Sequence, residues 1–386
     1  MGWDRQAPDV RKTPEPIVLG RWFLAACVAV LACVVLFLLH AAERVPPLQA
    51  LNIWVMASAP LLIWLLIFSA RAYAYGSALS HYQFLEEEAL IAQESWQNWA
   101  QRSLAVHASC VLLPNQVSAK LLMQGSPDAL NHSGQAQRIS ALPSGDDRAQ
   151  AGLQLLVPAL ARALQALPAE QELRVTLLND AAPGQYDALR NTWQQVWASA
   201  TRNAQPPAVA LTDELSFQWI EDLLKTGSAA LELILVLQVN GESTYSDGLA
   251  ALLLCPDKLA CAWDLPVRGK ILRPMPLSIT TLQSELPLFF QTQTSARLAS
   301  GLLADGECWQ PVINEIYAIG GANGASLTLE QQWVQARLCG LTGPFSHWLV
   351  AAQGVEMALH QQQPLLLLAK EKSRHWISTV TKRELV

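Results

Sequence analysis

The chain has 386 residues, of which 51% are hydrophobic and 15% are charged, and its formal net charge is -6. This acidic balance, with no long basic run, lacks the positive surface that binding to nucleic acid requires. About 300 residues remain once the apolar N-terminal segments are set aside, which is enough for a large core without disulfide bonds.

Two apolar runs near the N-terminus predict membrane helices. Residues 22–39 carry no charge and no helix breaker, and residues 51–70 form a second run that contains Pro60. About 18 residues are just enough to cross the hydrocarbon of a bilayer as a helix. We therefore expect a multi-pass membrane protein made of an N-terminal tail (1–21), two membrane helices (22–39 and 51–70), a connecting helix (71–104) and an α/β domain (105–386).

The first apolar run has an alternative interpretation, a cleaved signal peptide. The run is long for the core of a signal peptide, no small-x-small cleavage site follows it, and a second apolar run comes directly after it. These features favour a membrane anchor.

Basic residues predict the orientation of that anchor. Four precede the first run, Arg44 alone lies in the short connection, and Arg71 follows the second run. The positive-inside rule then places the N-terminus and the large domain in the cytoplasm. The chain has seven cysteines and no CxxC motif. An unpaired set of this kind fits a reducing compartment and predicts no zinc site.

Beyond residue 104, short apolar segments alternate with amphipathic ones. Segments 231–239 and 365–368 have the pattern of buried strands. We also predict helices at 284–303 and 329–338 and a strand at 313–319. Strands that alternate with helices are typical of an α/β domain whose helices cover its sheets.

Four segments of this domain resemble the thiolase-like superfamily, specifically the β-ketoacyl synthases. They resemble the family's Gly- and Ala-rich strand, its Arg-Gly turn, its His-Gly-Thr-Gly-Thr loop with a downstream carboxylate, and its Gly-His-x-x-Gly-Ala-Ala-Gly helix. In that order, the segments are SDGLAALLL (Ser246–Leu254), RGKI (Arg268–Ile271), GGANG (Gly320–Gly324) with Glu330, and SHWLVAAQGVEMAL (Ser346–Leu359). A fainter resemblance at Leu153–Asn179 and Leu223–Gln238 extends the match to about residues 104–386. The resemblance implies two similar α/β halves stacked in five layers.

The resemblance also implies a catalytic cysteine at the start of a buried helix, assisted by two histidines or by a histidine and an asparagine. Counting back from Gly227 places the cysteine position near Ala210, and the first histidine position falls at Gly320. Neither residue can do that chemistry, and no cysteine occurs between Cys110 and Cys255. We therefore expect a degenerate domain that is not an enzyme and holds no cofactor or metal.

Only His347 matches a catalytic position of the family. Two interpretations remain open: a residual base or ligand-binding group, or an inherited residue that is now packed in the core. The acid pairs Asp213/Glu214 and Glu221/Asp222 are interpreted as solvated or helix-terminal charges. No GxSxG, HExxH, GxxxxGK[ST] or GxGxxG motif occurs in the sequence.

Three functions follow from these observations. The first is a membrane-anchored, non-catalytic interaction or adapter protein, and its architecture is similar to accessory proteins of bacterial type VI secretion systems. That likeness implies the bacterial inner membrane and secretion components or cargo as partners, and the superfamily's two-fold dimers imply a homodimer. The alternative is a membrane-tethered partner or decarboxylating subunit in fatty-acid or polyketide synthesis. A transporter is disfavoured, because neither apolar run carries an ionisable residue.

Overall fold

The computed structural model describes residues 2–3, 12–42, 52–124, 132–168, 170–201 and 205–382. It divides into two compact units. One is Gln6–Ser95, and the other combines Met1–Arg5 with Trp96–Val386.

The smaller unit is a pair of apolar helices, α1 (Leu19–Ala41) and the first part of α2 (Ile53–Ala100). Both are long and apolar enough to cross a membrane, and only 6% of the apolar window of each is buried. The core helix of a soluble protein would be mostly buried, so this exposure fits a lipid-facing surface. Ring contacts join Trp22 to Phe68 (5.3 Å) and Phe37 to Trp54 (6.3 Å), so the two helices run antiparallel.

Helix α2 has 48 residues and continues through Pro60 without a break. It therefore covers both the predicted second membrane helix and most of the predicted connecting helix. A proline is tolerated inside a membrane helix where the freed carbonyl finds another partner.

The larger unit is built on one mixed sheet of eleven strands. The first half of the sheet contains β1 (Ser103–Leu112), β2 (Leu173–Asn179), β3 (Val209–Thr212), β4 (Leu231–Gln238) and β5 (Gly248–Pro256). The second half contains β6 (Gly269–Leu272), β7 (Met275–Leu277), β8 (Gly301–Ala304), β9 (Gln332–Val334), β10 (Leu365–Glu371) and β11 (Arg374–Lys382).

The two halves repeat one topology. The first half has the order β3-β2-β4-β5-β1, and the second has β9-β8-β10-β11-β6. In both, the three outer strands are parallel, and the long strand β5 or β11 runs antiparallel to its neighbours. Pairing of β1 with β6 joins the halves, and β7 adds to β11. The repeated order confirms the predicted pair of similar α/β halves.

Helices lie outside and between the half-sheets. Outside the first half are α4 (Arg148–Gln165) and α5 (Tyr186–Ala200), and outside the second are α8 (Leu282–Thr292) and α9 (Ile313–Ala322). The central layer contains α6 (Gln218–Thr226) and α11 (Ser346–Gln361). Three shorter helices are α3 (Ala119–Gln124), α7 (Asp257–Ala262) and α10 (Gln335–Cys339).

The side-chain alternation of the strands produces these layers. On β4, Leu233 and Leu235 pack in the outer core with α4 and α5, whereas Ile234 and Val236 pack in the central core. Successive side chains of a strand point to opposite faces, so a continuous apolar run serves two cores at once. The domain therefore has the five layers that the sequence resemblance implies.

Three predicted elements of the second half are wrong. The strand expected at 313–319 is helix α9, because Ile313, Ile316 and Ile319 form one buried face at helical spacing. The helix expected at 284–303 ends at Thr292 and is followed by a 3-10 turn and strand β8. The helix expected at 329–338 is a 3-10 turn, strand β9 and the start of α10.

Candidate functional site

A cavity of about 630 Å³ opens where several parallel strands of the two halves end. Its walls come from the residues that follow β3, from the loop after β8, from the segment before α11 and from the turn between β10 and β11. Ligands of α/β sheets commonly bind outside the carboxyl ends of strands. This cavity is therefore the candidate site.

The start of α6 lies beside the cavity wall, to which Leu215 and Glu371 belong, and it is capped by the chain's own carboxylate. Glu371, at the end of β10, accepts hydrogen bonds from the hydroxyl of Ser216 (2.9 Å) and the backbone amide of Phe217 (3.1 Å). The Ser216 hydroxyl oxygen also accepts from the amide of Gln218 (3.2 Å). A helix N-terminus attracts negative charge, and here Glu371 supplies it.

His347, in the first turn of α11, lines the cavity with an imidazole that is 3% exposed. Its Nε2 lies 2.9 Å from the carbonyl oxygen of Leu215. A carbonyl only accepts, so Nε2 carries the proton and Nδ1 is a bare acceptor. Nδ1 has no hydrogen-bond partner among the described residues. Burial lowers the pKa of His347, against smaller opposing effects of the Leu215 hydrogen bond and the charge of Glu371. The imidazole is thus neutral at neutral pH.

Asp305 follows β8 and forms the buried floor of the cavity. Its Oδ1 accepts from the indole N–H of Trp309 (2.9 Å), and its Oδ2 accepts from the Ser346 hydroxyl (3.1 Å) and the Lys370 amide (2.7 Å). Burial raises the pKa of Asp305 to about 6, although these hydrogen bonds act in the opposite direction. The three donors hold the β8 loop, the β10 end and the α11 start together.

Cys308 also lines the cavity, on a 3-10 turn after β8. The residue as a whole is exposed, but desolvation of its thiol, together with the charge of Asp305, raises the pKa of Cys308. A catalytic thiol needs a lowered pKa, so this environment works against nucleophilic chemistry. Sequence reasoning left Cys308 without a role.

Two of the positions that the family resemblance assigns by counting, Ala210 and Gly320, lie in β3 and α9. Ala210 lies inside β3, and the buried helix that ends at Gly227 begins at Gln218. Gly320 lies in α9 against Leu327 and is not among the residues that line the cavity.

The two acid pairs have different environments. Asp213 and Glu214 are exposed at the cavity, where Glu214 pairs with Lys372 at 2.7 Å. Glu221 lies in the first turn of α6, so it is a helix-terminal charge as one of the two interpretations has it, but it is buried and paired with Arg273 rather than solvated. The guanidinium of Arg273 offsets the cost of burying this carboxylate.

The residues that sequence reasoning missed are Ser216, Asp305, Lys370 and Glu371. One signal could have found two of them: Asp305 and Glu371 are acidic residues at or directly after the ends of buried apolar strands. Polar residues at such strand ends converge on one edge of a sheet. Within the described parts of the chain, no three His, Cys, Asp or Glu side chains are grouped to hold a metal ion.

Comparison with known proteins gave no matching family model and no matching curated protein. Among solved structures, the chain is similar to a type II PKS acyl-carrier protein in complex with its ketosynthase (TM-score 0.48, 8% identity), covering 72% of this chain and 99% of that one. It is also similar to 3-oxoacyl-(acyl carrier protein) synthase III, FabH, from Pseudomonas aeruginosa PAO1 (TM-score 0.43, 15% identity, 74% and 99% covered).

A third similar structure is a variant of OleA from Xanthomonas campestris (TM-score 0.44, 13% identity, 73% and 98% covered). Likenesses at this level carry no argument about the activity, substrate or partners of this chain. What the cavity does has to be argued from its own residues.

Proposed function

We propose that this protein is a membrane-anchored, non-catalytic adapter whose large domain binds a protein partner. The observation that carries the proposal is the occupied start of α6. The resemblance implies a cysteine at the start of a buried helix. Just before buried helix α6 stands Ser216, whose hydroxyl donates to Glu371.

The other groups of the cavity support the same conclusion. Nε2 of His347 donates a hydrogen bond to the Leu215 carbonyl. The thiol of Cys308 in the cavity wall has a raised pKa. A covalent acyl route needs an activated nucleophile within reach of a base. Here the hydroxyl, the imidazole and the carboxylates are used to fix loops to one another.

The anchor gives the adapter its location. Two apolar helices would hold the domain at a membrane, and the basic residues that flank them favour the cytoplasmic side. We propose the bacterial inner membrane and, from the similarity of this architecture to type VI secretion accessory proteins, a secretion component or its cargo as the partner. A homodimer is part of the same proposal.

A direct test of the non-catalytic assignment is a malonyl-thioester decarboxylation assay on the purified full-length protein in detergent. We expect no turnover above buffer, and no difference between the wild type and His347→Ala. The competing function, a decarboxylating subunit of fatty-acid or polyketide synthesis, is favoured by the position of His347 in the cavity wall. Turnover that disappears in a folded His347→Ala protein would establish that function instead.

A further inference from the structure

We propose that the cavity binds an extended segment of the partner that carries lysine or arginine side chains. This inference rests on the proposed adapter function and names the chemistry by which the partner is recognised. It joins three observations: the charge of the cavity, an unpartnered acceptor in its wall and a free strand edge at its mouth.

The cavity is acidic. Five carboxyl side chains and two lysines line it, and Lys372 is already paired with Glu214. The acidic residues are Asp213, Glu214, Asp305, Glu307 and Glu371. A concave surface with an excess of one charge attracts a ligand of the opposite charge.

The unpartnered acceptor is Nδ1 of His347. The ring is buried, lines the cavity and uses its only proton on Leu215. A buried acceptor without a donor is costly. Nδ1 is closed to solvent, so a ligand N–H group would satisfy it by entering the wall of the cavity. Ammonium and guanidinium groups bring both the N–H donor and the positive charge that the carboxylates favour.

The strand edge favours a polypeptide over a small cation. β3 is the end strand of the sheet order, and among the described residues only β2 pairs with it. Directly after β3 come Asp213 and Glu214, at the cavity mouth. An exposed edge pairs with an added strand through main-chain hydrogen bonds, while side-chain pockets supply specificity. A segment added to β3 would deliver its basic side chains to this mouth.

The test is fluorescence anisotropy with the full-length protein in mild detergent and a labelled short peptide of alternating lysine and threonine. The reference probe is the same peptide with glutamate in place of lysine. The cavity variant is Asp213→Lys/Glu307→Lys, and the matched control is Asp222→Lys/Glu330→Lys. All four substituted positions are exposed, and the control residues do not line the cavity.

We expect the lysine peptide to bind, the glutamate peptide not to bind, and the cavity variant to bind the lysine peptide about ten-fold more weakly or worse. The control variant should bind like the wild type. If both variants bound the lysine peptide equally weakly, the overall charge of the protein would explain the loss of binding, and the inference would be overturned. Binding of spermidine as tight as that of the peptide would also overturn it, in favour of a small-cation site. If the lysine peptide fails to bind while a protein partner is captured from membranes, the inference falls and the adapter function stands.

Discussion

Asp305 has the features of an active-site carboxyl, but its hydrogen bonds stabilise the fold. It is fully buried, faces the candidate cavity and has a raised pKa, which are features of many active-site carboxyls. Both of its oxygens, however, accept hydrogen bonds from the protein itself. The carboxyl group therefore holds together the segment after β8, the end of β10 and the start of α11.

The raised pKa of Asp305 predicts a pH dependence of stability. The folded-state pKa is about 6, above the ordinary value of 3.8. The folded chain therefore binds the proton of Asp305 more tightly than the unfolded chain does. Protonated Asp305 contributes its full stabilisation of the fold below pH 3.8, the ordinary pKa, and this contribution is lost as the pH rises through 6. In Asp305→Asn this titration is absent. The free energy of unfolding of the wild type minus that of the variant should fall by on the order of 3 kcal/mol between about pH 4 and pH 7.

Urea denaturation of both proteins in the same detergent across that range measures the difference. The variant can be more or less stable than the wild type at every pH without affecting the test. What is compared is how the difference between their free energies of unfolding changes with pH. Parallel profiles would show that Asp305 titrates in the folded protein as it does in the unfolded chain.

At the scale of elements, the sequence indicates the buried strands better than the helices beside them. β4 and β10 are predominantly apolar, and both lie where the pattern predicts. Helix α9 was predicted as a strand because its β-branched isoleucines suggest one, although their spacing of three residues is helical. β8 was missed because four residues between two loops give too short a pattern.

The site could be predicted only in part, for a related reason. His347 was found from a local motif, and it does line the cavity. Ser216, Asp305 and Glu371 are far apart in sequence and meet only through the repeated sheet topology. A local sequence pattern does not show which strands become neighbours in the sheet, so it cannot predict that these residues come together.

Close packing of the central helix α11 gives a prediction at this scale. A Cβ added at Gly354 would lie 2.5 Å from Cδ2 of Leu367 on β10, whereas one added at Gly321 on α9 meets nothing within 4 Å. Gly354→Ala should lower the free energy of unfolding by about 1–3 kcal/mol through overpacking. Gly321→Ala should raise it by up to about 1 kcal/mol through helix propensity. Chemical denaturation of the two variants tests the pair, and equal effects would contradict the tight contact between α11 and the second half-sheet.

At the scale of the whole molecule, the first residues of the chain pack on the large domain. Trp3 is 8% exposed and contacts Trp99 and Phe289 at ring-centroid distances of 5.2 and 5.7 Å. Its indole N–H donates to the carbonyl of Pro274 (3.4 Å). Trp3 precedes both apolar helices and the domain follows them, so we predict that the tail and the domain lie on the same side of a membrane. Two helices that both cross give that arrangement.

Reporter fusions test this arrangement. Alkaline phosphatase inserted in the connection between residues 42 and 52 should be active in a bacterial host, and the same enzyme fused after residue 382 should be inactive. A fluorescent protein that folds only in the cytoplasm should give the opposite pattern. Phosphatase activity at the C-terminal fusion would place the domain outside, and equal activity at both positions would contradict two crossing helices.

The measurement that tests the adapter assignment most directly is a mild-detergent pull-down of the full-length tagged protein from its native membranes, with mass spectrometry of what is bound. We expect secretion-system components or a toxin-like cargo, and weaker capture by the Asp213→Lys/Glu307→Lys variant than by Asp222→Lys/Glu330→Lys. Recovery of acyl carrier protein or fatty-acid enzymes instead would contradict it and assign the domain to acyl chemistry.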